Sequence, residues 1–368
     1  MPWISRALPD AVPARETLVL THAGSPTGLA LARAFGRQGY PVVGVDPQPG
    51  SPGLRSRYLR NSALCPDPEV HAFAFCEELG RIVRRERAAL VLPGNRAAVQ
   101  ALQQRGSRLE RHARVALPER DAWERLRHGG RFHELAHDLG LPVPALRRIS
   151  SLRESVLLAR DLGYPVELRT LLSPTPLARG EQIAQDWIRI TGEAQLARAA
   201  FALLESGPLL LRRAASREQR ELVLLADAGH PVAAYQSRVD LHAGREAAII
   251  AAPSDSELFE YATALLLELG WTGLARVRFR LEEGEWVISD LEPTGGLALA
   301  EAEAAGVPLA HAWVRLCLDG PERLEAALAD RPLLRPRARF PWDDPLPELP
   351  GLVVRAQAAL RRGDGARA

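Results

Sequence analysis

W-V-I-S-D-L-E-P-T-G-G-L-A-L-A-E-A-E-A-A-G-V, from Trp286 to Val307, decides how the chain is read. It has the outline of a strand that delivers acidic residues, Asp290 and Glu292, to a metal, followed by a glycine-containing turn and a helix. Pro293 and the Gly295-Gly296 pair end the strand. The Ala, Leu and Glu that follow are strong helix formers, and Gly306 is a good stop. Just upstream, L-A-R-V-R-F-R-L alternates arginines at Arg276, Arg278 and Arg280, and E-E-G-E turns the chain back as a hairpin over Leu274 to Leu291. If three residues, Glu283 to Glu285, form the loop, Arg278 faces Asp290 and Arg276 faces Glu292 across the strands. A loop of even length would put Arg278 and Asp290 on opposite faces. A plainer reading has the three arginines as an exposed face that the two acids neutralise.

Outward from that hairpin, 368 residues with 46% hydrophobic and 25% charged content predict two or three domains with sizeable cores. All 47 basic residues are arginine, so chemistry that needs a lysine ammonium is excluded unless arginine replaces it. The 45 acidic residues are mixed among them, leaving a net charge of +2 and no polycationic face for nucleic acid. Three widely spaced cysteines form no disulfide or zinc pattern, and no apolar stretch approaches the roughly 20 residues of a membrane span. The expectation is a soluble, cytoplasmic protein without a membrane or nucleic-acid partner. His133 and His137 stand four apart on one helix, but not in an H-E-x-x-H order. No G-x-S-x-G and no Ser or Cys with a recognisable base supports nucleophilic catalysis.

The first residues alternate strand and helix: T-L-V-L-T-H, the turn A-G-S-P-T-G, a helix to Gly39, a strand from Pro41 to Asp46, a helix from Ala72 to Arg87 and a strand from Ala89 to Leu92. That order predicts a parallel sheet. The turn is neither G-x-G-x-x-G nor a P-loop, although Asp46 ends the second strand where a ribose acid would stand, which keeps a nicotinamide-binding alternative open. A helix over Arg120 to Leu139, then Gly140, Pro142 and Pro144, marks a boundary. Beyond it come helices at Ser151 to Leu162 and Glu193 to Glu205. Strand-like runs P-L-L-L-R-R, E-L-V-L-L-A and P-V-A-A-Y-Q-S-R then predict an antiparallel sheet. The predicted segments are 1–118, 119–205, 206–330 and a Pro/Arg-rich tail over 331–368.

Four stretches in order resemble the ATP-grasp superfamily, in particular its carboxylate–amine ligase branch. A-L-A-R-A-F-G-R-Q-G-Y-P-V-V-G-V-D looks like the domain preceding the grasp, and R-F-H-E-L-A-H-D-L-G-L-P-V-P like the entry to it. G-Y-P-V-E-L-R-T falls where the family has G-[YF]-P-V-V-x-K-P. D-L-E-P-T-G-G-L-A-L-A-E-A-E-A-A-G-V lies over E-x-N-P-R-x-x-G-S-x-x-L-A-x-x-A-G-V. The resemblance implies an α/β protein: an N-terminal parallel α/β domain followed by a two-lobed α+β grasp fold that clasps ATP between antiparallel sheets. It also implies magnesium, and an amide formed through an acyl phosphate.

Carried over residue by residue, the family's chemical groups are replaced. One phosphate lysine falls on Gly129 and the other on Arg169; the lid becomes S-P-T-P-L-A-R-G, with few backbone N–H groups for phosphate. The adenine hinge falls on Arg212 to Gln219, so the resemblance places cofactor contacts at Arg212, Arg213 and Ala214, with Glu218 on the ribose. The first metal acid becomes Arg278, the second Asp290, the asparagine Glu292 and the substrate arginine Thr294. The reading is therefore a pseudoenzyme in which a guanidinium fills the magnesium space and the cleft binds a ligand or a partner, a protein or a second copy of the chain. The alternative is a divergent ligase for a small carboxylate and an amine. There Arg169 binds phosphate, Asp290 and Glu292 hold one magnesium, and Arg238 orients an anionic substrate.

Overall fold

A computed structural model describes residues 16–126, 129–170, 187–205, 207–214, 218–242, 245–252 and 255–321. The expected parallel sheet is there. Buried β1 (Leu18–Thr21) and β2 (Val42–Asp46) pair with β3 (Leu59–Leu64), β4 (Leu90–Leu92) and β5 (Arg114–Val115) in the order β3-β2-β1-β4-β5. Around it pack α1 (Pro26–Arg37), α2 (Ala72–Glu86) and α3 (Arg96–Arg105). Ser25 starts α1, its Oγ accepting the Gly28 N–H at 2.9 Å ahead of Pro26; Asn95 starts α3 by accepting the Ala98 N–H at 2.8 Å. The Asp46 carboxylate accepts the Gly24 N–H at 2.9 Å and the Gln48 N–H at 3.0 Å, so it ties down its own loop.

Helix is present where predicted after this domain, in α4 (Arg120–Leu126) and α5 (Gly129–Asp138). A small lobe follows: β6 (Arg147–Ile149), α6 (Leu152–Leu162), β7 (Val166–Thr170), β8 (Ile188–Ile190), α7 (Glu193–Leu204) and β9 (Leu209–Arg213). Its sheet runs β6-β9-β7-β8. The large lobe comprises β10 (Glu218–Asp227), β11 (His230–His242), β12 (Arg245–Ala251), α8 (Ser256–Leu269), β13 (Gly273–Glu282), β14 (Glu285–Glu292), α9 (Gly296–Ala304) and α10 (Leu309–Asp319). Its antiparallel sheet runs β12-β11-β10-β13-β14.

Two predicted boundaries move. β9 is paired on both sides inside the small-lobe sheet, so the lobes divide after Arg213 and not at 206. Helices α4 and α5 belong to the large lobe: Ala122, Leu126 and Phe132 share a core with Leu222, Leu224, Val277, Phe279 and α8. The sheet's other face carries Val223, Tyr235 and Val239, packed with α9 and α10 into one apolar cluster that includes Leu18 and Phe35 of the first domain. First domain and large lobe are thereby held together by shared burial, and the small lobe keeps its own core around Ile149, Leu168, Ile190 and Leu211. The predicted lid and the tail over 331–368 lie outside the described residues.

Candidate functional site

The hairpin that brings the acids to their partners is built differently from expectation. Its loop is two residues, Glu283 and Gly284, both left-handed with φ 52° and 92°, the backbone of a type I′ turn. An even loop puts Asp290 on the wrong face. A β-bulge at Ser289 compensates: Phe279 pairs with Ile288, but Arg278 pairs with Asp290, Val277 with Leu291 and Arg276 with Glu292. The Ser289 hydroxyl donates to the Arg278 carbonyl at 3.2 Å and holds the extra residue in place. The facing expected from the sequence is reached by an even turn plus one inserted residue.

The side chains then meet. Arg278 Nη2 lies 2.8 Å from Asp290 Oδ2 and 3.7 Å from Glu292 Oε1. Arg96, at the start of α3, reaches Glu292 Oε2 at 3.6 Å, donates to the carbonyls of Leu291 and Leu126, and lies over the Trp123 ring. Arg276 contacts the fully buried Glu221 at 3.3 Å. Its guanidinium fills the space a Cβ would need at Gly296, where φ is +54°, so that position requires glycine. Burial pushes the Asp290 carboxyl up, but Arg278, Arg169, Arg96 and His133 outweigh it and hold it far below the usual carboxylate range. Three guanidiniums thus meet three carboxylates. Magnesium needs oxygen donors in near-octahedral array at about 2.0–2.1 Å. Here both strand carboxylates face N–H donors, and no three His, Cys, Asp or Glu gather as metal ligands among the described residues. These residues do not fit the metal.

A second cluster adjoins the first and bridges the lobes. Glu167 of β7 accepts from Arg212 Nε of β9 at 2.8 Å and, at the same oxygen, from Arg280 Nη1 of β13 at 3.0 Å. Arg280, fully buried, also pairs with Glu282 at 2.7 Å and donates to the Arg213 carbonyl. Arg189 stands 4.0 Å from Glu167. Trp187 lies under two guanidiniums, with Arg212 3.7 Å and Arg169 4.6 Å from its ring centre. Burial, then the charges of Arg280 and Arg169, push the Arg212 guanidinium down to about 9, against the pull of Glu167.

The sequence-derived candidates divide. Arg278, Asp290, Glu292, Arg169 and Arg212 converge, since Asp290 and Glu292 act electrostatically on Arg169, which acts on Arg212. Arg238 does not join them. It pairs with Arg220, which pairs with Phe279, placing it on the α8 face, opposite Arg278 and Asp290. Arg213 alternates outward from Arg212 to the exposed edge, with its Nε on the Leu162 carbonyl at 3.1 Å and Nη1 3.6 Å from Glu283. The Ala214 N–H, expected at adenine, donates to the Pro165 carbonyl at 3.0 Å. Thr294 lies half-buried between β14 and α9, and Glu218 opens β10 opposite Asp240. Arg96, Glu167, Trp187 and Glu221 were not anticipated. Glu167 and Glu221, charged residues inside strand patterns, carried a usable signal; Arg96 and Trp187 meet their partners only in three dimensions. His133 is buried and His137 exposed beside Asp138, so the helical pair does not converge.

No family model matches the chain. It is 26% identical over 211 residues to the carbamoyl phosphate synthase large chain of Thermomicrobium roseum, which takes in 54% of this chain and 19% of that one. The chain thus matches only about a fifth of that relative's length. Among solved structures, an N5-carboxyaminoimidazole ribonucleotide synthetase in its ADP complex superposes with TM-score 0.62 at 17% identity, covering 84% of this chain and 78% of that one. The L-amino acid ligase of Bacillus licheniformis gives TM-score 0.60 at 14% identity, covering 87% and 78%. The fold is that of the ATP-grasp carboxylate–amine ligases, as the sequence resemblance implied.

Proposed function

We propose that this chain is a ligand-binding ATP-grasp protein in which the guanidinium of Arg278 stands in the place of the catalytic magnesium. The observation that carries the reading is the 2.8 Å contact between Arg278 and Asp290, flanked by Arg96 on Glu292. A guanidinium can neutralise an anion's charge. It cannot act as a Lewis acid or bridge two phosphate oxygens as a metal does. With both lysine positions changed and the metal set neutralised by arginine, several contributions to phosphoryl transfer are lost together, each typically a few kcal/mol. Binding is retained more easily than catalysis, because Arg169 still presents a delocalised cation to the cleft between the lobes.

The competing reading is a divergent ATP-dependent ligase, in which Asp290 and Glu292 would have to exchange Arg278 for magnesium when nucleotide arrives. Isothermal titration calorimetry with ATP, with and without magnesium, separates the two. Equal affinity in both conditions, with no ADP release, is the expected result. Micromolar binding that depends on magnesium would overturn it and return the chain to the ligases.

A further inference from the structure

We infer that the outer face of the large lobe carries a binding site for a small organic cation, with an ammonium or guanidinium head, in the cavity walled by Tyr261 and Trp286 and faced by Glu257 and Glu285. The site lies on the α8 face of the sheet, away from the cleft, so it does not depend on the reading above.

The cavity has a volume of about 420 Å³, within the range of pockets that take small molecules. Three stretches far apart in sequence build it: residues 140–142 after α5, the first turns of α8, and the tip of the β13–β14 hairpin. Its walls are tied in place. The Leu141 N–H donates to the Ala136 carbonyl at 2.9 Å, the Pro142 carbonyl accepts the Ile288 N–H at 2.8 Å, and Trp286 packs against the core beneath α8. A Cβ added at Gly140 or Gly284 would meet nothing within 4 Å, so both glycines border open space. A ligand would therefore enter a space that the fold already holds.

The chemistry of the wall selects the ligand. The Tyr261 hydroxyl donates to Glu257 Oε1 at 2.5 Å, which orients that carboxylate and engages one of its oxygens. Among the described residues neither Glu257 nor Glu285 has a cationic partner. Glu260 adds a third charge nearby: the Tyr261 hydroxyl is pushed up to about 12 by its bond to Glu257, by burial, and by the charges of Glu257, Glu285 and Glu260. The N-terminal end of α8 answers part of the charge on Glu257, but Glu285, on the hairpin, has no helix end behind it. A metal ion is not the match. Only two carboxylates line the cavity, no three His, Cys, Asp or Glu gather as metal ligands among the described residues, and aromatic faces attract organic cations without coordinating hard ones. Arg220 already shows the affinity of this indole for a cation, its guanidinium lying 5.5 Å from the Trp286 ring centre, yet it does not line the cavity. A head group between Trp286 and the two carboxylates would combine cation–π attraction with charge-assisted hydrogen bonds.

The test is calorimetric titration of the full chain with agmatine, which carries both head groups, at constant ionic strength. Two variants accompany it, E257Q and E285Q. Both positions are exposed and the change is isosteric, so the fold is kept, and glutamine still offers the Tyr261 hydroxyl an oxygen. The expected result is one-to-one binding in the wild type, weakened about three- to tenfold in each variant and by more than about tenfold in the double variant, with an uncharged diol of similar length showing none. No saturable binding of agmatine to the wild type overturns the site. Equal affinity in all four proteins overturns it too, because the cation would then be held by general surface charge. The two readings fail separately. Magnesium-dependent ATP binding sinks the metal replacement even if agmatine binds, and absent agmatine binding sinks the cation site even if ATP ignores magnesium.

Discussion

Among the described residues, three guanidiniums meet three carboxylates around Asp290 and Glu292, whereas around Glu167 and Trp187 four, those of Arg169, Arg189, Arg212 and Arg280, meet only Glu167 and Glu282. The first is half-buried and the second centres on the buried Glu167, Arg212 and Arg280, but both are built from the same residue types. In the first, every charge finds its counterpart within the chain, so the cluster is complete as folded. Among the described residues the second has more guanidiniums than carboxylates, and Arg212 Nη1 and Trp187 Nε1 are buried there without an acceptor. Arginine-rich interiors are thus not all alike: one set is matched pair by pair, and the other shares its carboxylates among several guanidiniums.

Substitutions can break this contrast, and the largest effect is expected at the bridge between lobes. Arg280→Met leaves Glu167 to Arg212 and the more distant Arg189 and strips the Arg213 carbonyl of its donor; the cost should be about 3–5 kcal/mol in urea unfolding. Arg278→Glu reverses the matched set. It should cost about 2–3 kcal/mol without divalent cation, as an uncompensated buried charge does. Magnesium should then recover part of that loss in thermal unfolding, where the wild type shows no magnesium response.

Asp290→Asn tests the matched cluster through pH. Asp290 is held below its ordinary value, so its charge stabilises the fold above the unfolded carboxylate value near pH 4, and that stability is lost as pH falls toward its depressed folded value. The gap between wild type and D290N should be about 2 kcal/mol and flat near neutrality, and should shrink below about pH 4 in denaturant titrations. A gap constant down to pH 2 would mean that Asp290 carries no special charge interaction. The smallest effect belongs to the bulge: deleting Ser289 joins two ladders already in phase, keeps Arg278 opposite Asp290, and should cost under about 1 kcal/mol, the worth of the hydroxyl contact.

How far the site was readable depends on the range of the interaction. Alternation along R-V-R-F-R and S-D-L-E placed Arg278, Asp290 and Glu292 correctly on adjacent strands, because a strand's period is local. The loop was misread, since E-E-G-E accommodates two residues as easily as three, and the bulge that rescues the pairing depends on how both ladders settle. Arg238 was misplaced for the same reason: its face follows from pairing across three strands. The small lobe's edge was drawn one strand early, because L-L-L-R-R reads the same in either sheet until its partners are known. Glu167 sat in view inside V-E-L-R-T, but a carboxylate in a buried strand announces only that it needs a partner.

The order of strands and helices, the absence of lysine and the reversal of charge at Arg278 follow from residue types and short spacings, and they suffice for the fold and for doubt about the metal. The pairing of Arg96 with Glu292, of Arg280 with Glu167, and the stacking of Arg212 on Trp187 needed the folded chain, since those partners lie 196, 113 and 25 positions apart. Charge balance inside a fold is a sum over residues that meet only after packing, so no local pattern could have told the pairwise-matched cluster from the shared one.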